Sequence, residues 1–484
     1  MRHHIKKNLL VLFLLASCTA CEKWLDVQPE ASVSVEELFS REEGFLEAIN
    51  GIYTRCTGNM FYGGLSSVEL QDAFMQNYSF EPLDYTSYAR TAAFDFDDEM
   101  LKWRVASTWS EAYSAIMNCN LILEHVDKSP ALFRDGIQEL VKGEALALRA
   151  YLHFDLARLF SRPYATGADQ QAIPYATTFS NRVAPLSSVG EVIERVLDDL
   201  KEAKRLLAND PIREPGYVVG YNTDVDSVTE QANGNLFLQN RRHRLNYYAV
   251  GATLARAYLY KGDLEGALRE ATEVINARKF RWADPVAVLA TEEERDRVMY
   301  PELVFAWYNE KNATNLQDRF NNVTTGYFVH AAHLRNIYEV ESSGGGDYRF
   351  NGWFKLSTSN EKYQLIKYAR NASGTGDRHF LVIPAIRLSE MYYIAAEATY
   401  PGDPALAWQY LDTVRLQRNV VAPRDDFHDA LLKEYRKETF AEGQAFYAYK
   451  RLVRSITTEA GLLLDPARVY AIPLPDDEIE FGER

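Results

Sequence analysis

Two groups of side chains in this sequence have a spacing that is typical of metal ligands. His330 and His333 lie three residues apart, and Asn222, Asp224 and Asp226 alternate like the start of a calcium-binding loop. The histidines have no acidic or cysteine ligand beside them, and the loop lacks the glycine and the glutamate that a calcium loop needs at its sixth and twelfth places. We therefore predict no metal site and no cofactor.

The chain carries no catalytic signature. It has no His-Glu-x-x-His motif, no Gly-x-Ser-x-Gly motif and no phosphate-binding loop. Its 68 acidic residues do not by themselves indicate glycoside hydrolysis, because that reaction needs two carboxylates at a defined separation across a cleft. We predict that the protein is not an enzyme and has no catalytic residue. An exported helical glycoside hydrolase or lyase is the first alternative, and a tetratricopeptide scaffold that binds only protein is the second.

Residue types suited to sugar binding are better represented. A sugar packs its C–H faces on aromatic rings and needs amide, carboxylate or guanidinium partners for its hydroxyl groups. The segment from Asp72 to Tyr78 offers both kinds of side chain, with Asn77 inside it and Tyr85 beyond it. We expect this segment to be a loop that contributes to a binding site.

The charge balance argues against nucleic acids and anionic membrane surfaces as the main partner. The 484 residues include 53 Lys and Arg against 68 Asp and Glu, which gives a net charge of −15. A surface of this sign repels the phosphates of nucleic acids and anionic membranes. We expect a neutral or cationic partner and no nucleic acid.

Residues 1–20 have the composition of a secretion signal. A basic start is followed by an apolar run from Leu9 to Ala16 and then by small residues before cysteine. This run is too short to span a bilayer, and no other stretch approaches the about 18 apolar residues that a span needs. Leu15–Cys18 fits the lipobox, at which bacterial lipoproteins are cut and acylated on cysteine, and Cys21 is the second candidate. An ordinary cleaved signal with incidental cysteines is the remaining alternative.

The body of the chain keeps only Cys56 and Cys119. Two cysteines in an exported chain of this length do not make a disulfide framework, and their spacing matches no zinc or redox motif. We expect buried free thiols that behave as small apolar residues, with a single bridge between them as the alternative.

Apolar residues recur at three- and four-residue spacing in several separate blocks, which predicts helices. These blocks are residues 43–56, 107–127, 137–160, 188–208, 244–277, 384–416 and 427–453. Between them lie long stretches rich in Gly, Asn, Asp and Tyr, which are typical of ordered binding loops. Short apolar runs at 302–307 and 364–368 predict strands of a small sheet.

An internal repeat appears at an offset of 140 residues, where Ala255 and Ala267 align with Ala395 and Ala407. Each copy predicts a helix, a tight turn containing Gly-Asp and a second helix, which is a tetratricopeptide-like pair. Small residues at the crossing allow the two helices to approach closely, so we expect both Ala267 and Ala407 to be buried. Two unrelated helical hairpins are the alternative.

Several blocks, in the same order along the chain, resemble the SusD/RagB family of outer-membrane nutrient-binding lipoproteins. They are Cys21–Pro29, Gly143–Phe160, Val192–Leu207, Ala255–Asn276, Ile386–Ala398, Glu438–Gly443 and Ile472–Pro475. No single block is diagnostic, but the set is specific and spans nearly the whole chain. The sequence departs from the family in its last long helix, where Ala445 and Ala448 replace a usual arginine and acid.

The resemblance implies a mainly α fold, namely a tetratricopeptide-like helical-pair scaffold with long ordered loops and a small β element. After a signal peptide at residues 1–20, residues 21–484 would form a single domain with an N-terminal part at 21–215 and a C-terminal part at 240–484. The family spacing places the lipid on Cys21, three residues before Trp24, with Cys18 as the alternative.

The resemblance also implies a function. A surface-exposed, lipid-anchored protein of the cell outer membrane would bind an oligosaccharide or another nutrient and deliver it to a SusC-like TonB-dependent transporter. The ligand site would lie on loops, partly in the segment after residue 70 and partly in the long insertion after residue 300. The candidate ligand-binding residues are Asp72, Asn77, Tyr78, Tyr85, Tyr327, Tyr348, Arg349 and Trp353.

Overall fold

The fold is mainly α-helical, as predicted. The computed structural model describes residues 34–81, 87–220, 228–291, 294–309, 313–321, 327–357, 361–370 and 381–482. Within these ranges the helices of eight or more residues are α1 (Glu42–Cys56), α2 (Glu99–His125), α3 (Ile137–Phe160), α4 (Val189–Leu206), α5 (Tyr247–Lys261), α6 (Leu264–Asn276), α7 (Ala313–Asn321), α8 (Leu388–Thr399), α9 (Pro404–Gln417), α10 (Phe427–Glu438) and α11 (Gln444–Arg451).

Shorter elements fill the connections between these helices. Helices of four to seven residues span Val35–Leu38, Leu70–Phe74, Tyr88–Ala92, Tyr164–Gly167, Pro285–Val288, Ala331–Ile337, Tyr348–Trp353, Pro466–Val469 and Asp476–Phe481. The strands are β1 (Gln171–Pro174), β2 (Leu186–Ser188), β3 (Leu303–Tyr308), β4 (Val329–His330), β5 (Phe354–Ser357), β6 (Lys362–Leu365), β7 (Val382–Arg387), β8 (Ile456–Thr457) and β9 (Leu463–Leu464). No helix in the described ranges is both apolar enough and long enough to cross a bilayer.

The long helices form a serial stack in which each one packs on the next. α1 packs on α2, and the stack then runs through α3, α4, α5, α6, α8 and α9. α4 shows how the sequence builds such a helix. Ser188 and Glu191 form a capping box at its start, and the apolar residues Val192, Val196 and Leu200 face the core.

The predicted repeat is confirmed at its two turns and at its two crossings. Gly262 ends α5 with a positive φ of 87°, a conformation that glycine adopts without strain. Asp263 and Asp403 then cap α6 and α9 by accepting a backbone N–H three residues on. Ala267 and Ala407 are both fully buried, as the close approach of the helix pairs requires.

α3 carries its charged residues on buried surface rather than on a solvent-exposed face. It is buried on all sides from Gly143 to Phe160, so its polar side chains find partners inside the protein. Arg149 forms two hydrogen bonds to Asp199 at 2.7 and 2.8 Å. His153 accepts a backbone N–H at 3.0 Å, and burial lowers its pKa to about 3, which keeps the imidazole neutral.

The strand predicted at 302–307 is confirmed as β3, and its partner β7 overlaps the start of the block 384–416, which the sequence assigned to a helix. β7 pairs with β3 in antiparallel register, with Trp307 opposite Ile383. The apolar run of β7 is buried throughout, and an apolar run that is buried on both faces shows no period that separates strand from helix. β4, β6 and β5 form a second sheet, which contains the strand predicted near residue 365.

Cys56 in α1 and Cys119 in α2 are both buried and free, as predicted. Burial raises the pKa of both thiols, so they remain protonated and pack as small apolar side chains.

Candidate functional site

The predicted ligand residue Asp72 lies inside the molecule, in the short helix Leu70–Phe74. Its carboxylate accepts hydrogen bonds from the Asn77 side chain at 2.6 Å and from the backbone N–H groups of Ala441 and Gly443 at 2.7 and 2.9 Å. Burial raises the pKa of Asp72 to about 7. Ala441 has a positive φ of 57°, so Asp72 holds a strained turn of the C-terminal part in place. Asp72 therefore has a structural role in this fold, and its contact with a ligand stays a prediction that its burial disfavours.

Asn77 is likewise fully buried, and its side chain is bonded at both ends. Its amide donates to Asp72, and its carbonyl oxygen accepts from Nε of Arg436 at 2.9 Å. The same guanidinium donates to the carbonyl of Gln76 at 2.8 Å. Each end of the amide can make one further hydrogen bond, but the side chain is fully buried, so a sugar hydroxyl does not reach it in this structure.

The two segments predicted to build the site do meet, but their tyrosines face inward. Tyr78 and Tyr327 are buried with ring centroids 4.9 Å apart, and the backbone N–H of Ser79 donates to Phe328 at 2.9 Å. The hydroxyl of Tyr78 donates to the carbonyl of Val68 at 2.5 Å. Both rings therefore belong to the core beneath the loops and not to an exposed ligand platform.

Arg349 and Trp353 also lie in the core, so their burial disfavours the predicted ligand contacts. Both are completely buried. The Arg349 guanidinium donates to Asp347 at 2.7 Å, to Glu434 at 2.9 Å and to Glu438 at 3.0 Å. Trp353 lies under the buried ammonium group of Lys367, which is 4.0 Å from the centroid of the indole ring.

Of the remaining predicted residues, only Tyr348 lies in the described part of the chain. Its side chain is partly exposed at the start of the helix Tyr348–Trp353, so its contact with a ligand stays a prediction. Tyr85, Cys18 and Cys21 lie outside the described residues.

The structure contains a groove that sequence reasoning did not identify. It has a volume of about 280 Å³ and lies between α2, the loop 180–184 and the C-terminal helix Asp476–Phe481. Lys102 in α2 forms an ion pair with Asp476 at 3.2 Å, which joins the C-terminal helix to α2 beside the groove. Three segments that are distant in sequence therefore build one concave site, and no motif in any of them marked it.

Aromatic rings form much of the groove wall. Trp109 and Tyr113 come from one face of α2, with ring centroids 4.7 Å apart. Trp109 is wedged edge-on against Phe160, and the Tyr113 hydroxyl donates to the carbonyl of Pro174 at 2.7 Å, so both rings are held in fixed positions. Phe481 on the opposite wall is 68% exposed.

Polar groups stand beside these rings. Asn181 and Arg182 are exposed on the loop, and Asp477 and Glu478 lie on the C-terminal helix. Fixed rings next to amide, guanidinium and carboxylate groups match the two kinds of contact that a sugar needs. Both acids come from one short helix on one side of the groove, so they do not form the opposed pair that glycoside hydrolysis requires.

The histidines singled out in the sequence have other partners. His330 contacts Glu459 at 2.7 Å, and His333 bonds to the carbonyl of Gln76 at 2.7 Å. In the part of the chain that the structure describes, no group of three or more potential metal ligands comes together. Residues 222–226, whose alternating polar residues were weighed and rejected as a calcium loop, lie outside the described residues.

Two family models match this chain. One is described as starch-binding associating with outer membrane and matches residues 23–218. The other is the SusD family model, which matches residues 291–462. Together they cover both the N-terminal and the C-terminal part.

Individual relatives are similar over nearly the full length. The chain is 22% identical to SusD-like protein P38 of Formosa agariphila, over 93% of this chain and 91% of that protein. A crystal structure of a SusD superfamily protein from Bacteroides thetaiotaomicron superposes with a TM-score of 0.72 at 21% identity, over 92% of this chain and 98% of that one. A SusD-like carbohydrate binding protein from Bacteroides vulgatus superposes with a TM-score of 0.70 at 18% identity, over 92% and 97%. At these identities the superpositions establish the fold.

Proposed function

Because this chain belongs to the SusD/RagB family, we propose that it is a lipoprotein of the cell outer membrane that captures a glycan at the cell surface without cleaving it. It then delivers the glycan to a SusC-like TonB-dependent transporter. The protein supplies affinity and release, and the transporter supplies passage through the membrane.

The groove is the observation that carries the proposal of glycan binding. It combines the partly exposed ring of Tyr113 with the exposed ring of Phe481 and the exposed groups of Asn181 and Arg182, while Trp109, which is only 7% exposed, packs against Tyr113 and holds it in place. A concave site with aromatic walls and a few converging polar groups is the usual form of a small-ligand site. Its volume of about 280 Å³ accommodates one or a few sugar units, and a longer chain would extend along its open side.

The binding experiment uses a soluble form that begins at about residue 24. A glycan array followed by calorimetry should identify an oligosaccharide that binds reversibly and is recovered chemically unchanged. Longer chains should bind more tightly than single sugars. Each added sugar unit makes further contacts, whereas the translational and rotational freedom of the ligand is lost only once. Turnover of the glycan would instead support the hydrolase or lyase alternative, and the absence of any glycan ligand would support the protein-binding scaffold.

Groove variants locate the site. Phe481→Ala and Arg182→Ala change exposed side chains, so they should weaken binding while leaving thermal unfolding unchanged. Leu416→Ala is a matched control, because Leu416 is 66% exposed on α9 and does not line the groove. Phe80 and Tyr348 are partly exposed in the two loop segments that the sequence predicted as the ligand site. Their alanine variants test whether the glycan binds at those loops instead. If their alanine variants weaken binding and the groove variants do not, the glycan binds at the loops and the groove assignment is wrong.

Anchoring is tested by metabolic labelling with a fatty acid. Replacing both Cys18 and Cys21 with serine should abolish labelling and release the protein from the membrane, and each single variant separates the two candidates. Bacterial lipoproteins carry more than one acyl chain, which stable anchoring requires. Labelling that persists in the double variant would contradict the lipid anchor.

Delivery to a transporter predicts a physical complex. Affinity purification of the tagged protein from outer membranes in mild detergent should recover a TonB-dependent transporter. Recovery of the protein alone, under conditions that keep its fold and lipid intact, would argue against this partner.

A further inference from the structure

The chain contains three Asn-Gly pairs, which are Asn50–Gly51, Asn233–Gly234 and Asn351–Gly352. In such a pair the backbone nitrogen of glycine follows directly on asparagine, and glycine has no Cβ that hinders its approach to the side-chain carbonyl carbon. The nitrogen can attack that carbon when its N–H group is free and when the backbone can move. The fold therefore decides which of the three pairs is reactive.

Asn233–Gly234 has the free setting that this reaction needs. Both residues are exposed in the loop before the short helical turn Leu236–Leu238. Among the residues that the structure describes, neither the backbone N–H of Gly234 nor the side-chain NH2 group of Asn233 has a hydrogen-bond partner. Apart from the two neighbouring residues, no atom lies within 4 Å of the position that a Cβ of Gly234 would occupy, so the backbone there has room to move.

The side chain of Asn233 is also directed towards the glycine. Its Oδ1 accepts a hydrogen bond from the backbone N–H of Asn235 at 2.9 Å, which folds the side chain back along the Gly234 backbone. The same hydrogen bond stabilises the negative charge that develops on Oδ1 when the carbonyl carbon is attacked. This local turn therefore both positions and activates the amide.

The first of the other two pairs is held inside α1. Backbone N–H groups within this helix bond to carbonyls four residues back, so the N–H of Gly51 is engaged. The side-chain carbonyl of Asn50 accepts a hydrogen bond from the guanidinium of Arg244. Asn50 can therefore cyclise only when α1 opens locally.

The third pair is held in the short helix Tyr348–Trp353. The side-chain amide of Asn351 donates to the carbonyl of Asp347 at 3.0 Å, so its leaving group is engaged. Gly352 is buried, and a Cβ on it would lie 3.1 Å from the side chain of Val288. Neither helical pair combines a free nitrogen with a mobile backbone.

We propose that Asn233 is a site of spontaneous deamidation through a succinimide. The nitrogen of Gly234 attacks Cγ of Asn233, so that an N–Cγ bond forms and the Cγ–Nδ2 bond breaks. Nδ2 leaves as ammonia and takes with it the proton of the Gly234 N–H. Water then opens the ring at either carbonyl carbon, which gives aspartate or isoaspartate.

The modification changes the charge and the backbone of one loop. Both products add a negative charge, and isoaspartate also lengthens the main chain by one carbon. The backbone carbonyl of Asn233 accepts a hydrogen bond from Gln239 at 2.6 Å, and the Phe237 ring of the same loop lies 4.4 Å from the guanidinium carbon of Arg244. Isoaspartate should therefore displace this loop, whereas the groove, which Asn233 does not line, keeps its walls.

Peptide mapping of the folded protein gives the direct test. The soluble form is incubated at neutral and at mildly alkaline pH, and mass spectrometry then measures conversion at all three asparagines in the same sample. Conversion should accumulate faster at Asn233 than at Asn50 or Asn351. It should also be faster at the higher pH, because loss of the Gly234 proton exposes the attacking nitrogen.

The same protein unfolded in urea is the control for the fold, and it should convert the three sites at similar rates. Native conversion at Asn50 or Asn351 that equals or exceeds conversion at Asn233 would overturn the proposal. A preference for Asn233 that is equally strong in urea would show that the fold does not select this site.

Gly234→Ala tests the attacking nitrogen. A Cβ next to this nitrogen hinders the attack and should slow conversion at Asn233 roughly tenfold or more. Alanine is tolerated there, because the φ of Gly234 lies outside the left-handed region and its surroundings are open. Gly216→Ala is the matched control, since Gly216 is likewise exposed with no atom near its Cβ position. Equal conversion in wild type and Gly234→Ala would contradict the mechanism.

Discussion

Buried ion pairs surround Glu434 and Glu438 in α10. Glu434 contacts Arg349 at 2.9 Å, and Glu438 contacts both Arg349 at 3.0 Å and Arg418 at 2.6 Å. Groups taken this far out of water remain ionised only when opposite charges and hydrogen bonds replace the lost hydration. Removing one member therefore leaves its partners buried and uncompensated.

Glu434 makes the stability of the protein dependent on pH. Burial alone raises its pKa, but Lys437, Arg349 and Arg415 together outweigh burial and lower it to about 2, from an ordinary 4.5. A carboxylate with a lowered pKa contributes stability above its unfolded pKa, and this contribution is lost as the pH falls from about 4.5 towards about 2. We expect the free energy of unfolding in urea to decrease over this range.

Two variants isolate this effect. Glu434→Gln should lower stability at neutral pH and make the decrease below about pH 4.5 shallower, because the titrating group is gone. Glu265→Gln in α6 changes an exposed glutamate and should leave the slope unchanged. An equal slope in wild type and Glu434→Gln would show that other groups control acid unfolding.

The buried aromatic residues provide a second prediction at the residue scale. Trp353→Ala or Tyr78→Ala should destabilise the protein by ~3–5 kcal/mol, because each removes a ring from a packed interior. Phe481→Ala is the control, since its ring is 68% exposed and its loss should leave the denaturant midpoint unchanged. Unchanged stability with weakened glycan binding in Trp353→Ala would restore Trp353 as a ligand residue.

At the scale of elements, the helix crossings depend on small residues. Ala267 in α6 and Ala407 in α9 are fully buried where neighbouring helices pack. Ala267→Leu and Ala407→Leu should each overpack a crossing at a cost of ~1–3 kcal/mol, measured by urea unfolding. Ala405→Leu is a matched control, because Ala405 is exposed on the same helix as Ala407. Equal stability of Ala405→Leu and Ala407→Leu would contradict a close crossing at α9.

At the scale of the whole molecule, buried contacts join the N-terminal and C-terminal parts. Asp72 bonds to the turn at Ala441, and Gln71 donates to the hydroxyl of Tyr447 at 3.0 Å. One continuous hydrophobic core also includes residues from both parts. The two parts therefore bury surface that neither could cover alone.

This arrangement predicts cooperative unfolding of residues 21–484 as one domain. Near-ultraviolet and far-ultraviolet circular dichroism should report coincident transitions in urea. Residues 21–215 and 240–484 expressed separately should not reach a folded state, because each would expose apolar core surface to water. Two resolved transitions, or a separately folded half with native near-ultraviolet signal, would contradict the single domain.

Local patterns in the sequence were sufficient to predict the helical scaffold. A helix brings residues three and four apart onto one face, so its apolar period is visible without knowledge of any partner. The Gly-Asp turns after α5 and α8 were likewise predictable from the local sequence, because a helix-ending turn depends on short-range geometry. The burial of Ala267 and Ala407 follows from the position of these small residues just after the turns. The segments after residues 70 and 300 were also correctly predicted to meet, through the family resemblance.

The tertiary structure alone decided which of the candidate side chains are buried and which are exposed. Tyr78, Arg349 and Trp353 have the residue types of a sugar site, but the same types serve equally well inside a protein when an ion pair or a neighbouring ring covers them. The groove combines segments that lie far apart in the chain. Burial depends on which distant segments pack together, and that is a property of the folded chain that no local spacing encodes.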